Sequence, residues 1–326
     1  METALEAVVD IGSSTIKYAI YARESGTWLL RREADEVATD LGRGLVPGGA
    51  FAPEARRNSL RGLAAMSSEI DAAGARVAIV VATEATRRAA DGADFLAEVG
   101  RIFGPDAPVR LVDGDTEAYW GLRSAEVGLP GLPAPLLSID PGGSSTDVAT
   151  RERPGGPAGV RSFPFGMNHL MAIAPPEADE GRLDAARIEA LRAFLDERAR
   201  EIAEFTGPAG ARPVVGTSGA ILALGTVAAG CPEGSREARA RAAHGRRVTR
   251  AEIEALIAET APLTSAARRA RHPSLTPVRS AIFVQGAIAW ERLLDRLEAD
   301  SAIVNGWGMK LGALVEGGAP FRAGPE

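Results

Sequence analysis

Two stretches of this chain run from a short apolar strand into the same order of residues, and that repetition limits the available folds more than anything else in the sequence. Ala7-Val8-Val9 leads into Asp10-Ile11-Gly12-Ser13-Ser14-Thr15, and Leu136-Leu137-Ser138-Ile139 leads into Asp140-Pro141-Gly142-Gly143-Ser144-Ser145-Thr146. β-Prone residues resume after each, from Ile16 to Tyr21 and from Asp147 to Ala149, so each copy reads as a hairpin with a Gly/Ser turn. One Asp-Gly hairpin turn is ordinary. Two with one internal order point to a duplicated unit. Glycine permits turns with φ > 0 whose N–H groups converge on an anion. The hydroxyls of Ser13, Ser14, Thr15, Ser144, Ser145 and Thr146 add donors for phosphate oxygens. Asp10 and Asp140, at the strand ends, offer hard oxygen ligands for the Mg²⁺ (or Mn²⁺) that accompanies polyphosphate groups.

A third glycine turn follows Pro213-Val214-Val215: Gly216-Thr217-Ser218-Gly219, leading into the helical Ala220 to Leu224. A strand-loop-helix passage of this kind brings backbone donors and the positive end of a helix to the loop. Arg76 to Val81 reads as a buried strand followed by a helix through Arg87 and Arg88. Val109 to Val112 is a strand ending at Asp113-Gly114-Asp115, with a helix from Thr116 onward. Alternating strands and helices indicate an α/β fold. A helix is expected from Pro53 to about Ala73, and others at Arg182–Glu204, Glu252–Glu259 and Ala281–Leu297.

At 326 residues the chain exceeds one compact core, which favours two domains. The densest Pro/Gly stretch between the repeats, 128–135, marks the boundary. The expected lobes are residues 1–127, with the segment of about 305–326 packing back on them, and a helix-rich lobe at 128–304. Thirty-seven basic against 43 acidic residues give a charge of -6, which argues against a surface built for nucleic-acid duplexes or anionic membranes. The lone Cys231 excludes an intrachain disulfide, and His169, His244 and His272 lack metal-ligand spacing. Glu2, Glu6 and Asp10 stand where a secretory signal carries basic residues, and no apolar run approaches the ~20 residues of a membrane span. A cytoplasmic location is expected.

Hydrolysis of a phosphoanhydride needs a group that orients or deprotonates water, and Glu117, in a first helical turn after a strand, is the candidate. From about residue 5 to 316 the chain resembles the exopolyphosphatase/guanosine pentaphosphate phosphohydrolase (Ppx/GppA) family of the actin-like ATPase superfold. The resemblance rests on both hairpins and an ordered series: Leu41-Gly42-Arg43-Gly44-Leu45, Ala82-Thr83-Glu84-Ala85-Thr86-Arg87, Gly114-Asp115-Thr116-Glu117-Ala118, Ser162 to Gly166, Gly216 to Gly219, His244-Gly245, and Arg279 through Gly286. It implies two actin-like (ribonuclease H-like) lobes with mixed sheets, helices on their faces and an interlobe cleft. It also implies release of terminal phosphate from polyphosphate or pppGpp, a divalent metal, and often a homodimer. By this resemblance Glu117 corresponds to the water-activating carboxylate, Asp140 to the carboxylate of the second phosphate loop, and Arg87 to an arginine that contacts phosphate.

Several residues depart from the family pattern. Thr116 replaces the first glutamate of Gly-x-Glu-Glu-Ala. Pro141, Ser144 and Asp147 alter the second loop, His169 stands where an arginine is common, Ala281 replaces an aspartate, and Lys310 falls in the terminal Gly-Leu-Arg-Glu-Gly pattern. Fewer guanidinium forks weaken bidentate phosphate contacts. Lys17, Arg43, His169 and Lys310 remain as expected substrate contacts. A polyphosphate-binding sensor and an actin-like phosphotransferase are the competing classes.

Overall fold

The computed structural model describes residues 4–34, 36–46, 48–176, 178–210 and 212–322. They form two compact units. One runs to Gly128 and takes in Ser235–Glu237 and Met309–Arg322; the other comprises Leu129–Gly234 and Ala238–Gly308.

In the first unit, β1 (Leu5–Ile11), β2 (Thr15–Glu24), β3 (Thr27–Glu33) and β4 (Val37–Ala38) precede α1 (Pro53–Ala72), β5 (Arg76–Ala82), α2 (Glu84–Arg88), α3 (Gly92–Phe103), β6 (Val109–Leu111) and α4 (Gly114–Gly128). The sheet order is β3-β2-β1-β5-β6, with β4 also on β2. β1 is antiparallel to β2 and parallel to β5. Pro53 opens α1, where its missing N–H costs nothing. Leu63, Met66 and Ile70 of α1 then join Ile16, Tyr18 and Ile20 of β2 in one buried cluster, each such side chain contributing ~1.5–3 kcal/mol on burial.

The second unit contains β7 (Leu136–Pro141), β8 (Thr146–Arg151), β9 (Ala158–Phe163), α5 (Met167–Ile173), α6 (Ala185–Thr206), β10 (Val214–Gly216), α7 (Gly219–Ala228), α8 (Arg236–Ala243), β11 (Arg247–Thr249), α9 (Arg250–Thr260), α10 (Ser265–Arg271), α11 (Pro277–Ala281), α12 (Phe283–Arg296) and β12 (Ser301–Val304). The first two residues of α8 count with the first unit. Its sheet runs β11-β12-β10-β7-β8-β9. Without β11 this is the first order again: β7, β8, β9, β10 and β12 take the places of β1, β2, β3, β5 and β6, with the same parallel and antiparallel senses. The duplication seen in two hairpins thus extends to five strands of each mixed, helix-flanked sheet.

Both hairpins share one register. Asp10 lies opposite Lys17 and Asp140 opposite Asp147. The Gly12 N–H donates to the Thr15 carbonyl at 3.0 Å, and the Gly142 N–H to the Ser145 carbonyl at 2.8 Å. The reason for glycine differs from the expected one. None of Gly12, Gly142 and Gly143 has positive φ. A Cβ on Gly12 would sit 3.1 Å from the Thr15 carbonyl oxygen, and one on Gly142 3.2 Å from that of Ser145, so close approach is what a side chain would disturb. Ser144 also has no positive φ, so its place in the turn carries no left-handed strain.

Some helices shift from their expected bounds. α6 starts later than Arg182 because the Asp184 side chain caps it, accepting the Arg187 N–H. The expected helix over Ala281–Leu297 is interrupted at Ile282, whose φ of -114° and ψ of 13° separate α11 from α12. The edge strands β3 and β9 have no counterpart in the sequence reading. β9 alternates intermediate and exposed residues before its buried Phe163, so it lacks an apolar stripe to betray it.

The last helix, α13 (Gly308–Val315), packs on α4 in the first unit at a single tight point. A Cβ on Gly312 would lie 1.9 Å from the Trp120 carbonyl oxygen. Backbone cannot yield as a flexible side chain can, so Gly312→Ala is expected to destabilise by about 1–3 kcal/mol or more, read as a lower denaturant midpoint. An unchanged midpoint would show that the two helices separate freely.

Candidate active site

In the first unit, β1, β5 and β6 run parallel, which brings the segments after them to one edge of the sheet. Ligands of open α/β sheets gather at such carboxyl ends. After β1 comes the turn Gly12–Thr15. Its Ser13 carbonyl accepts the Gly42 N–H at 2.7 Å, and its Ser14 carbonyl accepts those of Thr39 and Asp40 at 3.0 and 3.2 Å. The Leu41–Leu45 motif is therefore the brace of the first loop. Arg43 within it projects into solvent and pairs with Asp40 at 3.5 Å.

After β5, Thr83 ties the next segment to β1, its N–H donating to the Ile11 carbonyl at 3.2 Å. α2 then presents Arg87. After β6, Asp113 caps α4 by accepting the Thr116 N–H at 2.8 Å, which places Glu117 in the first turn. Arg87 Nη1 donates to the Val112 carbonyl and stands 3.6 Å from Glu117 Oε1. The structure thus joins Arg87 and Glu117, residues from separate motifs. Burial raises the Asp113 pKa, but its hydrogen bonds from Thr116 and the nearby Arg87 charge outweigh this and hold it below the usual aspartate range.

Asp10 and Lys17 form a second pair, 3.1 Å apart, with Asp10 almost fully buried. Lys310 is no surface cation. It is 2% exposed, and its ammonium lies 3.0 Å from Glu33, which also meets Arg236 at 2.9 Å. Burial pushes the Lys310 pKa down, and the attraction of Glu33 does not fully restore it. Burial pushes Glu33 up, but Arg236 and Lys310 bring it below the normal glutamate value. Lys310 is therefore a buried counter-ion rather than the expected substrate contact. Glu33 escapes sequence reading, its one signal being a glutamate in a strand whose other charges, Arg31 and Arg32, are exposed.

In the second unit, the carbonyls of Gly142 and Gly143 accept the Met167 and Asn168 N–H groups at 2.9 and 2.8 Å, so the first turn of α5 braces the second loop. Ser144 Oγ accepts from Asn168 Nδ2 at 3.2 Å, and Ser145 Oγ donates to Asp147 at 3.3 Å. Thr146 is different from the expected phosphate donor. It is fully buried and its hydroxyl donates to the Phe165 carbonyl at 2.8 Å, spending its only proton. His169 Nδ1 accepts the Gly166 N–H at 3.3 Å and its ring stacks on Phe194. Gly216–Gly219 follows β10, adjacent to the second loop's strand, with the Thr217 N–H donating to the Ile139 carbonyl at 3.2 Å. Ser218 is the N-cap of α7, accepting the Ile221 N–H at 3.3 Å.

No described helix is long and apolar enough to cross a membrane. Among the described residues no three His, Cys, Asp or Glu side chains come together as a ready metal-ligand set.

Paired strand-loop hairpins on duplicated sheets of the same strand order define an actin-like fold. The model of the Ppx/GppA phosphatase family matches residues 22–317, and the chain belongs to that family. Exopolyphosphatase 2 of Mycobacterium tuberculosis is 26% identical over 309 residues, covering 91% of this chain and 92% of the relative. The fold is shared with the Ppx/GppA family member of Aquifex aeolicus, at a TM-score of 0.77, 22% identity and coverage of 96% of this chain and 97% of that one. An exopolyphosphatase from Cytophaga hutchinsonii gives a TM-score of 0.78 at 17% identity, with the same coverages.

Proposed function

We propose that this phosphoanhydride hydrolase releases terminal phosphate from inorganic polyphosphate, with Mg²⁺ as cofactor and Glu117 as the general base toward water. The observation that carries this reading is the Arg87–Glu117 pair, a carboxylate held 3.6 Å from a guanidinium at the first turn of α4. Likeness to exopolyphosphatase 2 of Mycobacterium tuberculosis supports polyphosphate as the substrate.

In this reading Glu117 accepts a proton as the water oxygen bonds to the terminal phosphorus. The bond from phosphorus to the bridging oxygen breaks, and the shortened chain leaves with the electron pair. Arg87 orients Glu117 and brings positive charge to the site, and the hairpin N–H groups hold phosphoryl oxygens. Asp140 and Asp147 share one face of β7 and β8, giving that hairpin two carboxylates for a cation. Asp10, already paired with Lys17, is better placed to act through water. Mg²⁺, when bound there, neutralises phosphate charge.

The test is phosphate release from long polyphosphate, tripolyphosphate, pppGpp and ATP, with Mg²⁺ and then with excess chelator. Release fastest from polyphosphate and abolished by chelation is expected. A preference for pppGpp keeps the chemistry and replaces the substrate. Tight binding without release favours a sensor, and release only in the presence of an added sugar favours a phosphotransferase.

A further inference from the structure

Thr116 stands where the family pattern has a glutamate, and the fold gives this threonine a partner far along the chain. α13 ends in two left-handed glycines, Gly317 at φ 59° and Gly318 at φ 74°, and the Gly318 N–H closes the turn on the Ala313 carbonyl at 2.9 Å. The chain then runs back along α4, within the first unit. Glu316 accepts from Arg123 Nε at 2.6 Å, and the Ala319 carbonyl accepts from Trp120 Nε1 at 3.1 Å. The Phe321 N–H donates to Thr116 Oγ1 at 3.2 Å, and the Phe321 ring packs on Tyr119 with centroids 5.1 Å apart. Residues 116, 119, 120 and 123 share one face of a helix, so residues 316–321 form a strap over that face of α4.

Thr116 is 1% exposed, and its hydroxyl works in both directions. It accepts from Phe321 and donates its proton to Asp113, whose carboxylate also takes the Thr116 N–H at 2.8 Å. Asp113 in turn frames the Arg87–Glu117 pair. Its own carbonyl accepts the Glu117 N–H at 3.1 Å, the preceding Val112 carbonyl accepts from Arg87 Nη1, and its charge attracts that guanidinium. Hydrogen bonds therefore run unbroken from the C-terminal strap to the residues that hold Arg87 and Glu117. An ionised glutamate at position 116 could accept from Phe321 but has no proton for Asp113, whereas a hydroxyl serves both.

We propose that Thr116 is a positioning residue, through which the strap of residues 316–321 holds Asp113 and so sets the Arg87–Glu117 pair for catalysis. This rests on the reading of Glu117 as the base, and it makes turnover, rather than substrate affinity, the property that the strap controls.

The test is steady-state hydrolysis of tripolyphosphate with Mg²⁺ by the full chain, with thermal midpoints alongside. Thr116→Val keeps the shape of the side chain and removes the hydroxyl; it is expected to lower kcat about tenfold with KM unchanged. Thr116→Ser restores most of that loss. Phe321→Pro removes the N–H donor, whereas Phe321→Ala removes the ring and keeps the donor, so Phe321→Pro is expected to lose about threefold or more in kcat beyond Phe321→Ala. Thr116→Val and Phe321→Pro combined lose no more than Thr116→Val alone, because both break one chain of hydrogen bonds. In a Glu117→Gln background Thr116→Val has no further effect on kcat. Wild-type kcat in Thr116→Val, a loss that Thr116→Ser does not restore, or an undiminished further loss in Glu117→Gln overturns the proposal, whatever the midpoints. If Thr116→Val fails to fold, equal kcat in Phe321→Pro and Phe321→Ala overturns it. Wild-type kcat in Glu117→Gln sinks the general-base reading, and the role of Thr116 is then decided by its cycle with Phe321: a shared loss supports the link, and additive losses overturn it.

Discussion

Glu117→Gln is expected to lower kcat by about 10²- to 10⁴-fold, the usual contribution of a positioned general base, while tripolyphosphate affinity holds or improves. The amide keeps the shape of the side chain beside Arg87, 3.6 Å away, but cannot take a proton and no longer repels a polyanion. Glu117→Asp is expected to fall between the two, since it keeps a base and withdraws it by one methylene. Steady-state kinetics and calorimetry on the same preparations separate the effects. A mutant with wild-type kcat would move the base elsewhere, and a mutant that lost only affinity would make Glu117 a binding group.

The second large effect concerns stability. Glu33 is the counter-ion of both Lys310, at 3.0 Å, and Arg236, at 2.9 Å, and all three are buried. Glu33→Gln takes the shared counter-ion from both cations, while Glu36 remains 3.8 Å from Arg236, and breaking a buried pair in this way costs about 3–5 kcal/mol. Lys310→Met should cost less, because Glu33 keeps Arg236. The double mutant should lose less than the sum of the singles. The pH dependence has a definite sign. Arg236 and Lys310 overcome burial and hold the folded pKa of Glu33 below 4.5. Its contribution is therefore fully present above that value and is lost as pH falls through the folded one. Urea titrations of wild type and Glu33→Gln should converge in acid. Equal stability at neutral pH would show that the cations find other partners.

The repeated Asp-x-Gly order was legible because a hairpin writes its turn into consecutive residues. The rest of each sheet was less so: short edge strands such as β9 bury too little to leave a pattern. The turns after β1, β7 and β10 could be located from glycine and serine, but not what each hydroxyl does. Thr146 donates to the Phe165 carbonyl and Ser218 caps α7, both consequences of neighbours the local sequence does not display. Glu117 and Arg87 were marked by family motifs, whereas their 3.6 Å approach depends on β5 and β6 lying side by side. Lys310 shows the converse. A lysine near a terminal glycine motif resembles a surface cation until the fold supplies Glu33, and Arg279 meets Gly219 only through tertiary packing.

The most direct test of water as the phosphoryl acceptor is to hydrolyse tripolyphosphate in ¹⁸O-labelled water and follow both products at early times by mass spectrometry. Attack on the terminal phosphorus predicts a single labelled oxygen in the released phosphate, none in the pyrophosphate, and loss of both products in Glu117→Gln. Unlabelled phosphate, label confined to pyrophosphate, or labelling that persists unchanged without the Glu117 carboxylate would contradict the account.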